Sequence, residues 1–171
     1  LESFGAFCDI GCGIIALLPI DAISVSRISH PRDRFSPGDD IRVILRDIAE
    51  DGKITLSHKE LLGTWEENAS AFSPGQTVTG VIRSIEEYGV FVELTPNLAG
   101  LAEPRSDVFI GQQASVYIKS ILPEKMKIKL IIIDSFDTSY TTPIHYFYTD
   151  DRICEWDYSP QLCRKKICSN F

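Results

Sequence analysis

Long apolar runs, an excess of positive charge and the glycine-rich signature of a phosphate loop are all missing from this sequence, and each absence removes a class of function. Nothing approaches the ~20 consecutive apolar residues that cross a bilayer, and the first residues lack a basic, then hydrophobic, leader, so a cytosolic protein with no membrane partner is expected. A net charge of -7 and a pI near 4.9 leave no global field to draw the chain to nucleic acid, so any such binding must be local. Five cysteines, an odd number without framework spacing, fit a reducing compartment in which they act as small buried apolar side chains. His145, Cys154, Cys163 and Cys168 lack the paired C-x2-C knuckle of a zinc site, and no metal or other cofactor is expected. There is no nucleophile elbow and no HExxH motif. His30, His58 and His145 lie in unrelated segments, the first two reading as surface loop or helix-cap residues. A noncatalytic protein is the expectation.

What the chain does contain is an internal repeat. ESFGAFCDIG (Glu2 to Gly11) and EEYGVFVELT (Glu86 to Thr95) are nearly the same phrase, and the correspondence runs on when Phe4 is laid on Tyr88. GDDIRVILRDI (Gly38 to Ile48) then lies on GQQASVYIKSI (Gly111 to Ile121), and KITL (Lys53 to Leu56) on KIKL (Lys127 to Leu130). ALLPID and GLAEPR occupy matching places between these blocks. Apolar and polar residues alternate in every block, which predicts short half-buried strands and two small all-β units. At 44% hydrophobic residues in a 171-residue chain, two such cores can be filled.

The second unit has a further strand, TVTGVIRSI (Thr77 to Ile85), where the first has only Leu1 to Ser3. The first unit is therefore expected to begin at its second strand, leaving an edge for another chain, a second copy or the tail to cover. Between the units, Ser57 with Glu60 has capping-box spacing, and Leu61, Leu62, Trp65, Ala69 and Phe72 share a helical face, predicting a helix that ends before Pro74. Residues 134–171 match neither unit. Ile144 to Thr149 and Arg152 to Tyr158 predict an aromatic hairpin turning at Asp150 and Asp151, packed on the barrels or a partner.

Together these blocks resemble the S1 RNA-binding domain of ribosomal protein S1, over residues 1 to about 133. The resemblance implies a mainly β fold of two five-stranded OB barrels, the first lacking its opening strand, and the C-terminal part of a bacterial S1-type protein. The domains are expected at 1–57 and 74–134, joined by a helix over 58–73 and followed by a hairpin extension over 135–171. OB folds bind single strands by stacking bases on aromatic rings and tracking phosphates with lysine or arginine. Carried over by position, the aromatic and basic sites are Tyr88, Phe91 and Lys127 in the second unit and Phe4, Phe7 and Lys53 in the first. Glu103 and Pro19 stand where the family has a histidine, and Pro123 and Ala49 where it has an acid.

Charge separates the two units. Residues 1–71 hold 7 basic and 12 acidic side chains, whereas residues 72–133 hold 6 of each, so the second unit is the better nucleic-acid candidate. Lys125, Lys127 and Lys129 alternate with apolar residues and, with Arg83 and Lys119, form either a local basic strip or an ordinary solvated strand face. Phe7 and Phe91 read either as sheet packing or as stacking platforms. Two functions follow. One is single-stranded RNA (mRNA) binding linked to the ribosome; the other is docking on a ribosomal or other protein by degenerate domains, with a strand-exchanged homodimer as one form of partner.

Overall fold

Alternation along the chain becomes two β units in the computed structural model, which describes residues 1–138, 140, 142–150 and 152–171. In the first unit, β1 (Gly5–Asp9), β2 (Ile15–Pro19), β3 (Ile44–Ile48) and β4 (Ile54–Ser57) form one sheet in the order β1-β2-β4-β3. Its core is Ala6, Ala16, Leu18, Ala22, Ile23, Phe35 and Leu56. In the second unit, β5 (Thr77–Glu86), β6 (Gly89–Thr95), β7 (Leu98–Ala102), β8 (Gln113–Leu122) and β9 (Lys127–Phe136) close into a barrel in the order β5-β6-β7-β9-β8. β9 shows how the period of two builds it: Ile128, Leu130 and Ile132 are buried, while Lys127, Lys129 and Ile131 face out. Register shifts within the β5–β6, β6–β7 and β8–β9 pairs supply the bends that closing five strands requires.

The shared phrase has a steric cause at its glycine. A Cβ at Gly89 would lie 2.5 Å from the Ala102 carbonyl oxygen across the β6–β7 pair, and one at Gly5 would meet the Leu18 carbonyl in the same way. Both hairpins begin where two backbones approach too closely for a side chain.

In the barrel, β5 pairs with β6 on one side and β8 on the other, whereas among the described residues nothing occupies the matching place between β1 and β3. The cost is visible at paired positions. Ile118 is 0% exposed in the barrel, but its counterpart Leu45 is 54% exposed on β3, and Ile48 is exposed as well. The tail does not mend this edge, since none of its described strands pairs with β1 or β3.

The linking segment departs from the predicted continuous helix. It is a 3-10 turn, Lys59–Leu62, followed by α1 (Trp65–Ala69), whose cap is Thr64: its hydroxyl accepts from the Glu67 N–H, and the Glu67 carboxylate accepts from the Thr64 N–H. Ser57 instead donates to a buried Glu60 carboxylate at 2.5 Å, and Gly63 breaks the turn from the helix with a φ of +91°. Leu61, Leu62, Trp65 and Ala69 are buried as their spacing predicts.

The tail also differs in detail. Its antiparallel pair is β10 (Glu155–Asp157) with β11 (Cys168–Asn170), and Ile144 to Thr149 are not in a strand; the predicted turn includes Asp151, which lies outside the described residues. The tail packs across both units. Ile144 joins the first core, and Ile153, Trp156 and Tyr158 join the second. No helix among the described residues is long and apolar enough to cross a membrane.

Candidate nucleic-acid interface

Each unit carries an edge-to-face aromatic pair at the start of the hairpin that follows the shared phrase, β1–β2 in the first and β6–β7 in the second; Phe91 alone of the four rings is half-buried. Phe4 and Phe7 meet edge to face with ring centroids 5.9 Å apart at 84°, and Tyr88 and Phe91 do so at 6.0 Å and the same angle. Phe4, Phe7 and Tyr88 are all more than half exposed, at 54%, 55% and 65%, whereas buried packing would have covered them. Exposed rings of this kind offer π-faces to any unpaired base.

Strand register extends each pair into a row across the sheet. Phe91 on β6 lies opposite Leu101 on β7, which lies beside Lys129 on β9; Phe7 lies opposite Leu17, which lies beside Thr55. The two rows are the same three positions of the repeat, so the sequence correspondence is reproduced by pairing. They differ chemically at the last position, ammonium against hydroxyl. Lys127, one step from Lys129 on the same face of β9, is exposed too.

The other basic candidates divide. Lys119 lies on the outer face of β8. Lys125 is exposed but sits in the 3-10 turn Pro123–Lys125 that precedes β9, with Met126 left-handed at φ +49°, so the three lysines do not share one strand. Lys53 is exposed ahead of β4, 3.7 Å from Asp51, a solvated pair of little strength. Arg83 points away from the row into the seam between the units, where its Nη2 donates to Glu93 at 3.0 Å. Sequence alone gave no sign of this, because the partner lies on another strand.

That seam fixes the units against each other. Glu93, fully buried on β6, accepts from Arg34 of the first unit through both terminal guanidinium nitrogens, at 2.7 Å for Nη1, and from Thr142 of the tail at 2.9 Å. Ser24 accepts further bonds from Arg34 at 3.3 Å. Burial pushes the Arg34 guanidinium down to about 9, with Arg83 adding repulsion, yet it stays cationic at neutral pH. Nearby, buried Asn97 accepts from Val25 N–H at 3.0 Å and donates to the Lys59 and Gly63 carbonyls at 2.7 and 2.9 Å. His58, expected at the surface, is fully buried: its Nδ1 lies 2.7 Å from the Ile23 carbonyl and its Nε2 3.0 Å from the Tyr146 hydroxyl. The signal that could have found it is its place directly after the buried end of β4.

Two exposed side chains of the segment after β7 were not singled out as ligand contacts. Glu103 is exposed one residue past β7, and Phe109, 67% exposed, projects from the β7–β8 loop.

The S1 RNA binding domain family model matches residues 1–59, the unit containing the first row. Residues 1–59 belong to the S1 RNA-binding domain family. It is similar to small ribosomal subunit protein bS1 of Leuconostoc lactis, 31% identical over 144 residues, covering 76% of this chain and 33% of that protein. The bS1 protein of Staphylococcus haemolyticus (strain JCSC1435) is 30% identical over 145 residues, covering 77% of this chain and 37% of its own length. A 4-hydroxy-3-methylbut-2-enyl diphosphate reductase of Clostridium tetani (strain Massachusetts / E88) is 33% identical over 145 residues, 77% of this chain but 23% of that protein. The chain thus spans well under half of each of these relatives. Among solved structures, an uncharacterized protein from Methanocaldococcus jannaschii aligns with 30% identity and a TM-score of 0.33, over 34% of this chain and 89% of that one. A multidomain protein with nucleic acid binding domains from Streptococcus pneumoniae aligns with 15% identity and a TM-score of 0.35, over 81% and 50%.

Proposed function

We propose that this chain is a noncatalytic, cytosolic module that binds single-stranded RNA chiefly through its second barrel, as part of a bacterial S1-type protein acting on mRNA or at the ribosome. The observation that carries this reading is the row Phe91–Leu101–Lys129 beside the exposed Tyr88, whose ring meets the half-buried Phe91 edge to face. Tyr88 and Phe91 stack unpaired bases, and Lys127 and Lys129 lie within reach of the phosphates. Duplex RNA hides its base faces, so single strands are favoured. The first unit keeps the rings but has Thr55 where the second has Lys129, and it takes the weaker part.

Salt dependence tests the electrostatic half. Binding of a labelled 12-nucleotide RNA should weaken as salt rises, and the log–log slope should fall by about 0.7 for each of Lys127→Ala and Lys129→Ala, the single-strand value per released counterion. An unchanged slope in the double variant would place the phosphates elsewhere.

A protein-docking reading has its own support in the open β1–β3 edge, with Leu45 and Ile48 exposed. A second copy is a poor occupant of that edge by strand exchange, because the matching strand, β5, is hydrogen-bonded on both sides in a closed barrel that its donation would open.

A further inference from the structure

We propose that Glu103 makes the second barrel selective for guanine among unpaired bases, an inference that rests on the RNA-binding reading above. The antiparallel register pairs Val90 with Ala102, and one further step sets Glu103 opposite Gly89, the residue that follows Tyr88. The first unit shows the same geometry as a pair in place, Gly5 opposite Pro19. Glu103 has the face parity of Leu101, which lies opposite Phe91, so its carboxylate belongs to the outer surface that holds the aromatic pair. Glu103 is exposed, and among the described residues it makes no ion pair or side-chain hydrogen bond; the nearest arginine in sequence, Arg105, is occupied by Asp107 at 2.8 Å. Gly89 places no side chain between Glu103 and the rings.

Charge sets the direction of the strand on this surface. Glu103, together with Glu86 at the end of β5, is negative on one side, and Lys127 and Lys129 are positive across β7. Phosphates therefore run along β9, and base edges point to Glu103. An ionised carboxylate only accepts hydrogen bonds, through two oxygens side by side. Guanine alone presents two adjacent donors on its Watson–Crick edge, N1–H and the N2 amine, which match that pair as a bidentate contact. Adenine and cytosine offer one donor beside an acceptor, and uracil one donor between two acceptors; each sets a lone pair against a carboxylate oxygen. The first unit, with Pro19 in this place, has no such acceptor.

The test is fluorescence anisotropy with 12-nucleotide RNAs of repeating AAG, AAA, AAC and AAI, where I is inosine, which lacks only the N2 amine. The intact chain should bind AAG about tenfold more tightly than AAI, AAA or AAC, the discrimination of one good bidentate contact. Glu103→Gln should lose that preference by weakening AAG while leaving AAA equal or tighter, since a phosphate-repelling charge is gone. Glu87→Gln, a change of the same charge off the strand face, should keep the preference. Binding of all four RNAs with equal affinity, a preference that survives Glu103→Gln, or one that Glu87→Gln also abolishes would each overturn the inference while leaving RNA binding intact. Failure of the intact chain to bind any of them overturns the RNA-binding reading itself.

Discussion

Replacing Glu93 with alanine should lower the unfolding free energy by about 3–5 kcal/mol, measured by urea denaturation, because it strands Arg34 and Arg83 in the seam without a counter-charge. The Arg34 and Glu93 side chains are both 0% exposed, so water cannot take over the lost partner, and Thr142 loses its acceptor as well. The Arg34–Glu93 pair is not thereby a large net stabiliser. A triple change, Arg34→Met and Arg83→Met with Glu93→Leu, removes all three charges and should recover most of the loss, since a buried ionic group roughly breaks even against apolar side chains of similar volume. Its contribution is specificity: the pair fixes how the first unit meets the second. A loss below about 1 kcal/mol in Glu93→Ala would mean that the seam opens to solvent and that the two units are held by their apolar contacts alone.

Acid should weaken the first unit and its contact with the tail through His58. Burial, with a smaller push from Arg34, lowers this imidazole from 6.5 to about 4, against the opposing pull of its bond to Ile23 and of Glu60. The unfolded chain therefore binds a proton at a pH where the folded chain does not, and stability present above pH 6.5 is lost as the pH falls toward 4. Complete loss of the shift corresponds to about 3 kcal/mol. Geometry explains why the proton is refused. Nδ1–H donates to the Ile23 carbonyl, and Nε2 accepts from a Tyr146 hydroxyl that itself accepts from Arg42 N–H at 3.2 Å, so a second imidazole proton would face a donor. Urea denaturation from pH 7 to pH 4 should show this slope, and His58→Gln, which retains a donor and an acceptor, should flatten it. A His58 resonance titrating near 6.5 in the folded protein would contradict the account.

The parts of this molecule that depend on neighbours in sequence were legible there. Alternation in KIKLIII predicted which face of β9 is buried, and laying Phe4 on Tyr88 predicted two aromatic pairs that the structure places in matching geometry. The open first sheet was legible for the same reason, since the repeat supplies its own reference. What depends on distant partners was not. Ser57 and Glu60 have the spacing of a helix cap, but Glu60 also accepts from Ser169 at 2.9 Å, a tail contact 109 residues away, and the helix starts later at Thr64. Arg83 reads as a phosphate ligand until Glu93 is found beside it. In the tail, Glu155–Asp157 pairs with Cys168–Asn170 rather than with the preceding aromatic segment, whose Phe147 N–H instead donates to the Leu61 carbonyl at 2.9 Å. Local pattern predicted that this segment would pack; only tertiary contacts decide where.

The central claim is that the aromatic pair of the second barrel stacks RNA bases. Anisotropy of a labelled single-stranded RNA, titrated at two salt concentrations with the intact chain and with a Tyr88→Ala, Phe91→Ala variant, tests it most directly. Each stacked base contributes about 1–3 kcal/mol, so the variant should bind at least tenfold more weakly at both salts while unfolding at the same urea concentration. Equal binding by the variant, or no binding by the intact chain at low salt, would contradict the account and point to the open edge of the first sheet and a protein partner.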